Sequence, residues 1–312
     1  VVSTISKGII DPTSVAETRA FIWAMMAALL SAALWINLAT WVGAPVSTTH
    51  SVVGGVMGAG IAAAGLGAVN WPTMGAIAAS WVISPVLGGV IAAAFLALIK
   101  SRILYQEDKI DAARRWVPIL VAIMAGAFAA YLALKGLKKI LPITMQGALL
   151  IGFALGVLTY LVTRPLIARK SQGMENRNKS VKVLFAMPLV LSAALLSFAH
   201  GANDVANAIG PFAVIWSIYN AGELDKKTEM GYAAYWILSM GGVGIALGLF
   251  VYGYKITHAI GEKLCKITPS RGTAIELSSA LIIIIGSRLK IPLSTTHCQV
   301  GATTGIGIML AM

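Results

Sequence analysis

Cysteine is nearly absent. Cys265 and Cys298 are the two in 312 residues, and both lie in or beside apolar stretches, so no disulfide framework is expected. Charge is scarce as well: charged side chains make up 12% of the sequence against 58% hydrophobic. The mean hydropathy of +0.82 is far above what a water-soluble domain needs. Acidic residues are the rarer sign, 12 against 24 Lys and Arg, which leaves a formal net charge of +12. Three catalytic signatures are missing: there is no G-x-x-x-x-G-K-[ST] phosphate loop, no H-E-x-x-H and no G-x-S-x-G. Their absence removes nucleotide-driven pumping, zinc proteolysis and α/β-hydrolase chemistry from consideration, and with them the expectation of an enzyme. The first nineteen residues are polar, with no signal-peptide pattern and no initiator methionine.

What is present is apolar and long. About 20 apolar residues are needed to cross a bilayer as a helix. Stretches of that kind read over 20–41, 72–99, 116–134, 142–163, 184–216, 232–257 and 273–289. With the segments that follow His50 and His297, which could cross or turn back, the expectation is about eight to ten. This is the composition of an integral membrane protein, expected in the cell (inner) membrane. The basic excess then reads as orientation and not as a nucleic-acid surface, because Lys and Arg gather in cytoplasmic loops. Residues 100–115 and 164–182 carry five and six basic residues, and two spans separate them, so both are expected on one side. A short loop at 135–141 with three lysines falls on the other side and weakens the asymmetry.

One ten-residue string occurs twice. Residues 45–54 read PVSTTHSVVG and residues 292–301 read PLSTTHCQVG, so Ser47, Thr48, Thr49 and His50 recur as Ser294, Thr295, Thr296 and His297. Proline followed by hydroxyl residues is the chemistry of a helix start. A helix start presents unpaired N–H groups with partial positive charge, and two such starts facing one point would hold an anion. A lone Ser-Thr-Thr triplet would more often bond back to its own helix. Repetition with the same flanking proline, histidine and glycine points instead to a transporter built by duplication.

Residues 201–211 read GANDVANAIGP and put Asn203, Asp204 and Asn207 inside an otherwise apolar stretch. A carboxylate at hydrocarbon depth costs about 2.5–3.5 kcal/mol on insertion scales, so such a residue usually has a function. Glycine at 201 and proline at 211 suggest a helix broken at this point, whose freed carbonyls would join the two amide oxygens and the carboxylate. That oxygen set suits Na⁺, or a proton on Asp204. Asp204 alone would repel a nearby anion, whereas a cation between them reverses the sign, and this argues for coupled binding. Glu276 is either a helix-start carboxylate stabilised by the dipole or a second coupling group. His50, His200 and His297 each touch a motif, but no pair has ligand spacing, so no metal beyond the coupling cation is expected and their role reads as hydrogen bonding.

The strings PVSTTH, GANDVANAIGP, ITPSRG and PLSTTH resemble the PiT family of inorganic phosphate transporters, sodium–phosphate symporters and their proton-coupled relatives. The resemblance runs from about residue 20 to the end. It implies an all-α polytopic membrane protein with two inverted repeats, re-entrant helical hairpins and a broken helix, dividing at 1–182 and 183–312. It further implies phosphate import coupled to Na⁺ or H⁺, with no cofactor. Phosphate would lie against Ser47, Thr48, Thr49, Ser294, Thr295 and Thr296, and the cation near Asn203, Asp204 and Asn207. Sulfate or another oxyanion, a passive anion channel and a receptor that binds without transport are the rival readings. A homo-oligomer is compatible with all of them. The family carries a GAND-type string in each half, and the 247-residue offset puts the partner of Gly201 upstream of Val1. The first membrane segments of the complete protein are therefore expected to precede this sequence.

Overall fold

The structure, a computed structural model, describes residues 2–11, 14–15, 17–135, 143–221 and 233–311. Apart from one isolated bridge between Ile10 and Val69, the described residues are helical or irregular. The helices are α1 (Val2–Lys7), α2 (Thr18–Trp41), α3 (Thr48–Ala64), α4 (Trp71–Ile99), α5 (Lys109–Lys135), α6 (Met145–Lys170), α7 (Asn178–Leu184), α8 (Ala186–Ala221), α9 (Ala233–His258), α10 (Pro269–Arg288) and α11 (Thr295–Ala311). Six of these, taken with the wider turns that extend α4 to Leu104 and α9 to Glu262, are long and apolar enough to cross a membrane. They are α2, α4, α5, α6, α8 and α9. The 17 residues of α3 and of α11 reach only about 25 Å at ~1.5 Å per residue, short of the ~30 Å hydrocarbon core.

Local chemistry sets the helix ends. Thr144 Oγ1 accepts from Gly147 N at 3.2 Å to cap α6, and Asp108 Oδ1 accepts from the N–H groups of Ile110 and Asp111 to cap α5. Gly65, with φ +78°, closes α3 in a conformation that side chains resist. Arg169 and Lys170 lie in the last turn of α6, where the dipole favours cations. Capped in this way, α5 and α6 run further than their apolar stretches. The long charged loops expected at 100–115 and 164–182 are therefore mostly helix ends. Their sidedness is visible in direct contacts: Arg114 Nε donates to Ser171 Oγ at 2.6 Å, and Asn176 Nδ2 donates to the Glu107 carbonyl at 2.6 Å. Most of the loop at 135–141, and the expected span starts at 142 and 232, lie outside the described residues.

The Cα packing forms two compact units, one of residues 1–90, 198–266 and 279–312, the other of 91–197 and 267–278. These units cut across the halves expected at 1–182 and 183–312. In the first unit Ile5, Ile9 and Ile10 join Phe21, Met25, Val53 and Val56 in a buried core. There α11 crosses α4 almost backbone to backbone: a Cβ on Gly301 would stand 2.2 Å from the Pro85 carbonyl oxygen, and one on Gly305 2.3 Å from that of Gly89. The second unit has the same device, with a Cβ on Gly126 only 2.7 Å from the Gly152 oxygen. Close approach through small residues suits membrane helices, which gain no hydrophobic drive from each other.

One expectation is overturned. α8 runs unbroken from Ala186 to Ala221, with Pro211 inside it. A proline removes one N–H and so frees only the carbonyl four residues back, here that of Asn207, which an otherwise intact helix tolerates in a membrane protein. Asp204 and the amide nitrogens of Asn203 and Asn207 find partners on neighbouring elements without unwound backbone.

Candidate functional site

The two repeated strings fold alike. In each, an extended segment after the proline leads into a helix whose serine is the cap: Ser47 Oγ accepts from His50 N at 3.1 Å, and Ser294 Oγ accepts from His297 N at 3.1 Å. The first N–H groups of α3 and α11 have no acceptor within their own helices.

Both helix starts lie in the first compact unit, and they meet. Thr49 Oγ1 donates to the Leu293 carbonyl at 2.9 Å, and Thr296 Oγ1 donates to the Val46 carbonyl at 3.2 Å. These are equivalent bonds, because Thr49 and Thr296, and Val46 and Leu293, are related by the same 247-residue offset. Each tip thus holds the residue before the other's capping serine.

The same unit brings α8 against them. His200, Asn203, Asp204 and Asn207 share one face of the helix at spacings of three and four. Thr48 Oγ1 donates to Asp204 Oδ2 at 2.9 Å, and His200 Nε2 stands 2.8 Å from the same oxygen. Asn203 Nδ2 donates to Asp204 Oδ1 at 3.0 Å and to the Leu293 carbonyl at 3.1 Å, while Asn207 Nδ2 donates to Thr49 Oγ1 at 3.0 Å. Thr295 Oγ1 lies 3.5 Å from His200 Nε2. Asn203 and Asn207 are 1% and 2% exposed, and among the described residues the Oδ1 of each has no partner. Two buried amide oxygens on the helix face that carries the carboxylate are thus left open, whereas such groups are normally paired when buried.

All six hydroxyl residues of the repeated strings, and Asn203, Asp204 and Asn207, are therefore brought together. The hydroxyls are not equivalent: those of Thr48, Thr49 and Thr296 donate to protein acceptors, whereas those of Ser47 and Ser294 accept from their own helices. Glu276 has a different setting. It lies in the second unit, where Ser192 Oγ donates to its carboxylate. Because α10 starts at Pro269, Glu276 sits two turns in, beyond reach of the helix-start dipole, and that half of its expectation fails.

The histidines divide. His200 hydrogen-bonds as expected. His50 and His297 instead meet edge to face with ring centroids 4.3 Å apart, and His50 lies on Trp81 at 3.7 Å. Sequence reading missed Trp81, which belongs to no repeated string. It also missed the acceptors Val46 and Leu293, whose only signal was their place after a proline. Among the described residues no group of three or more His, Cys, Asp or Glu could hold a metal ion.

Residues 1–311 match the family model described as "Phosphate transporter family". A protein of Helicobacter pylori named "Putative phosphate permease" is 45% identical over 309 residues, which cover 99% of this chain and 58% of that protein. A Pyrococcus abyssi protein, likewise named a putative phosphate permease, is 37% identical over 308 residues, 99% of this chain and 75% of that one. A solved structure titled "The sodium-dependent phosphate transporter" aligns with a TM-score of 0.89 at 34% identity, covering 99% of this chain and 75% of that chain. The chain thus spans under two thirds of the length of its Helicobacter relative.

Proposed function

Starting from a chain that belongs to the phosphate transporter family, an integral membrane family, we propose that the protein moves inorganic phosphate inward in symport with Na⁺. The observation that carries this reading is the meeting of two equivalent helix starts with Asn203, Asp204 and Asn207 of α8. The sodium dependence named for the solved relative supports the coupling ion.

In this reading Asp204 and the open amide oxygens of Asn203 and Asn207 hold the cation. The phosphate binds at the starts of α3 and α11, against their first N–H groups and the hydroxyls of the two repeated strings other than that of Thr49, where helix ends favour anions. Without the cation, Asp204 repels the anion by about 4 kcal/mol at ~4 Å and an effective dielectric of ~20. With it, the sign reverses, and binding becomes ordered: cation first, anion second. The lengths of α3 and α11 support re-entrant hairpins, and the swapped tip bonds support two repeats in inverted relation, which would rock about the site. Carrying a divalent phosphate inward against 100 mV costs about twice 2.3 kcal/mol, and two monovalent cations cancel that cost. Glu276 is a candidate second coupling carboxylate. Phosphate, the cation and lipid are the only partners this scheme requires.

A second reading, proton coupling, is favoured by the 2.8 Å contact between His200 and Asp204, which could hold a proton in place of Na⁺. Uptake of labelled phosphate into proteoliposomes, under Na⁺ and H⁺ gradients applied separately, tests both. Uptake driven by Na⁺ alone supports the proposal. Flux indifferent to both gradients refutes it in favour of a channel, and stronger competition by sulfate than by unlabelled phosphate refutes the substrate.

A further inference from the structure

We propose that Thr49 is a positioning residue and not an anion ligand: its hydroxyl is the cation-sensitive arm of a latch that ties the two helix starts together. The inference rests on the symport reading for its consequence, but its geometry stands without it.

A hydroxyl has one proton. Thr49, fully buried, gives that proton to the Leu293 carbonyl at 2.9 Å and takes the Nδ2–H of Asn207 on its lone pair at 3.0 Å. It has no second proton for an anion, and donating to one would break the tie between the tips. The Leu293 carbonyl is itself shared, since Asn203 Nδ2 donates to it at 3.1 Å. Asn203 and Asn207 therefore both end on this one arm through their nitrogens, and both leave a buried, unpartnered oxygen at the other end.

That arrangement links cation to latch through single planar groups. A cation held by the two Oδ1 atoms fixes both amide planes and polarises their N–H bonds toward Thr49 and Leu293. When the cation leaves, the amides are free to turn, and the arm loses both supports. The other arm, Thr296 to Val46 at 3.2 Å, receives no amide among the described residues. The tips are thus equivalent in their own bonds and unequal in what α8 adds. Na⁺ tightens one arm and leaves the other as a hinge about which the tips part.

The test uses the full-length protein carrying this chain, with Thr49→Val, Thr49→Ser and Thr296→Val. Two quantities are read: the Na⁺-induced rise in Tm without phosphate, against a choline control, and the Na⁺ half-saturation of phosphate uptake beside its KM at saturating Na⁺. T49V is expected to lose most of the Na⁺-induced rise and to raise the Na⁺ half-saturation about tenfold, with a smaller change in phosphate KM. T49S, which keeps the hydroxyl, is expected to recover both, and T296V to retain the Na⁺-induced rise. A tenfold rise in phosphate KM with unchanged Na⁺ half-saturation in T49V would make Thr49 an anion ligand and overturn the proposal. Equal loss in T49V and T296V would overturn the asymmetry, and a wild-type Tm indifferent to Na⁺ would overturn the sensor. Should wild type respond to Na⁺ in Tm, and T49V not, while neither takes up phosphate, the latch stands and the symport reading falls.

Discussion

Thr48 Oγ1 donates to Asp204 Oδ2 at 2.9 Å, joining the first helix start to the single carboxylate of α8 across 156 residues of sequence. The bond puts the side chain next to the capping serine, which faces the proposed anion, in direct touch with the proposed cation ligand. Charge at Asp204 and geometry at the tip therefore cannot change independently.

Asp204→Asn keeps the shape of that contact and removes its charge. Na⁺-driven phosphate uptake is expected to fall to background, with insertion and folding retained, and normal uptake by this variant would refute the cation assignment. Thr48→Val removes a hydrogen bond to a charged group, worth about 1.5–3 kcal/mol, which converts to a loss of roughly tenfold to hundredfold in Na⁺ affinity. Thr48→Ser should recover most of it. Half-saturation for Na⁺ in proteoliposomes reads both.

Six of the expected spans were legible because hydropathy reports lipid exposure directly, whereas the one expected at 273–289 falls in α10, which is not among the six helices long and apolar enough to cross. The candidate site was legible because one string occurs twice. Other features left weaker traces. Helix α5 starts at Lys109 and not at 116 because Asp108 caps it and its first turns are charged, which a search for apolar runs discards. The break expected between Gly201 and Pro211 does not occur, since a proline costs one backbone bond and Asp204 and the amide nitrogens of Asn203 and Asn207 are met by Thr48, Leu293 and Thr49. The acceptors that close the latch are backbone carbonyls, and a carbonyl has no letter in the sequence. Trp81 joins the site by packing on His50, at a position that no motif marks.

Glu276 belongs to the second unit and the repeated strings to the first, and its carboxylate, two turns into α10, is bonded by the fully buried Ser192. A carboxylate so placed has no capping role to perform. Glu276→Gln retains a group able to bond Ser192, so thermal stability should stay near that of wild type while Na⁺-driven uptake falls at least about tenfold, the expectation for a coupling group. Ser192→Ala tests the structural alternative: it leaves the carboxylate without its donor, a loss of about 1–3 kcal/mol in Tm-measured stability. Full uptake by E276Q would leave Glu276 a structural residue.

Gly54 and Gly301 occupy the same place in the repeated string, and chemistry alone would treat them alike. Their surroundings differ. A Cβ on Gly54 meets nothing within 4 Å, whereas one on Gly301 would stand 2.2 Å from the Pro85 carbonyl oxygen and 2.5 Å from its Cα. The obstacle at Gly301 is backbone, which cannot turn aside as a side chain can, so α4 and α11 must separate to admit a methyl group. Gly301→Ala is expected to cost about 1–3 kcal/mol, as overpacking does, seen as lower Tm and lower yield of folded protein. Gly54→Ala is expected to be neutral or to gain up to about 1 kcal/mol, because alanine favours a helix over glycine. Equal stability of the two variants would mean that α11 does not cross α4 at Pro85, and the close approach described for the first unit would have to be abandoned.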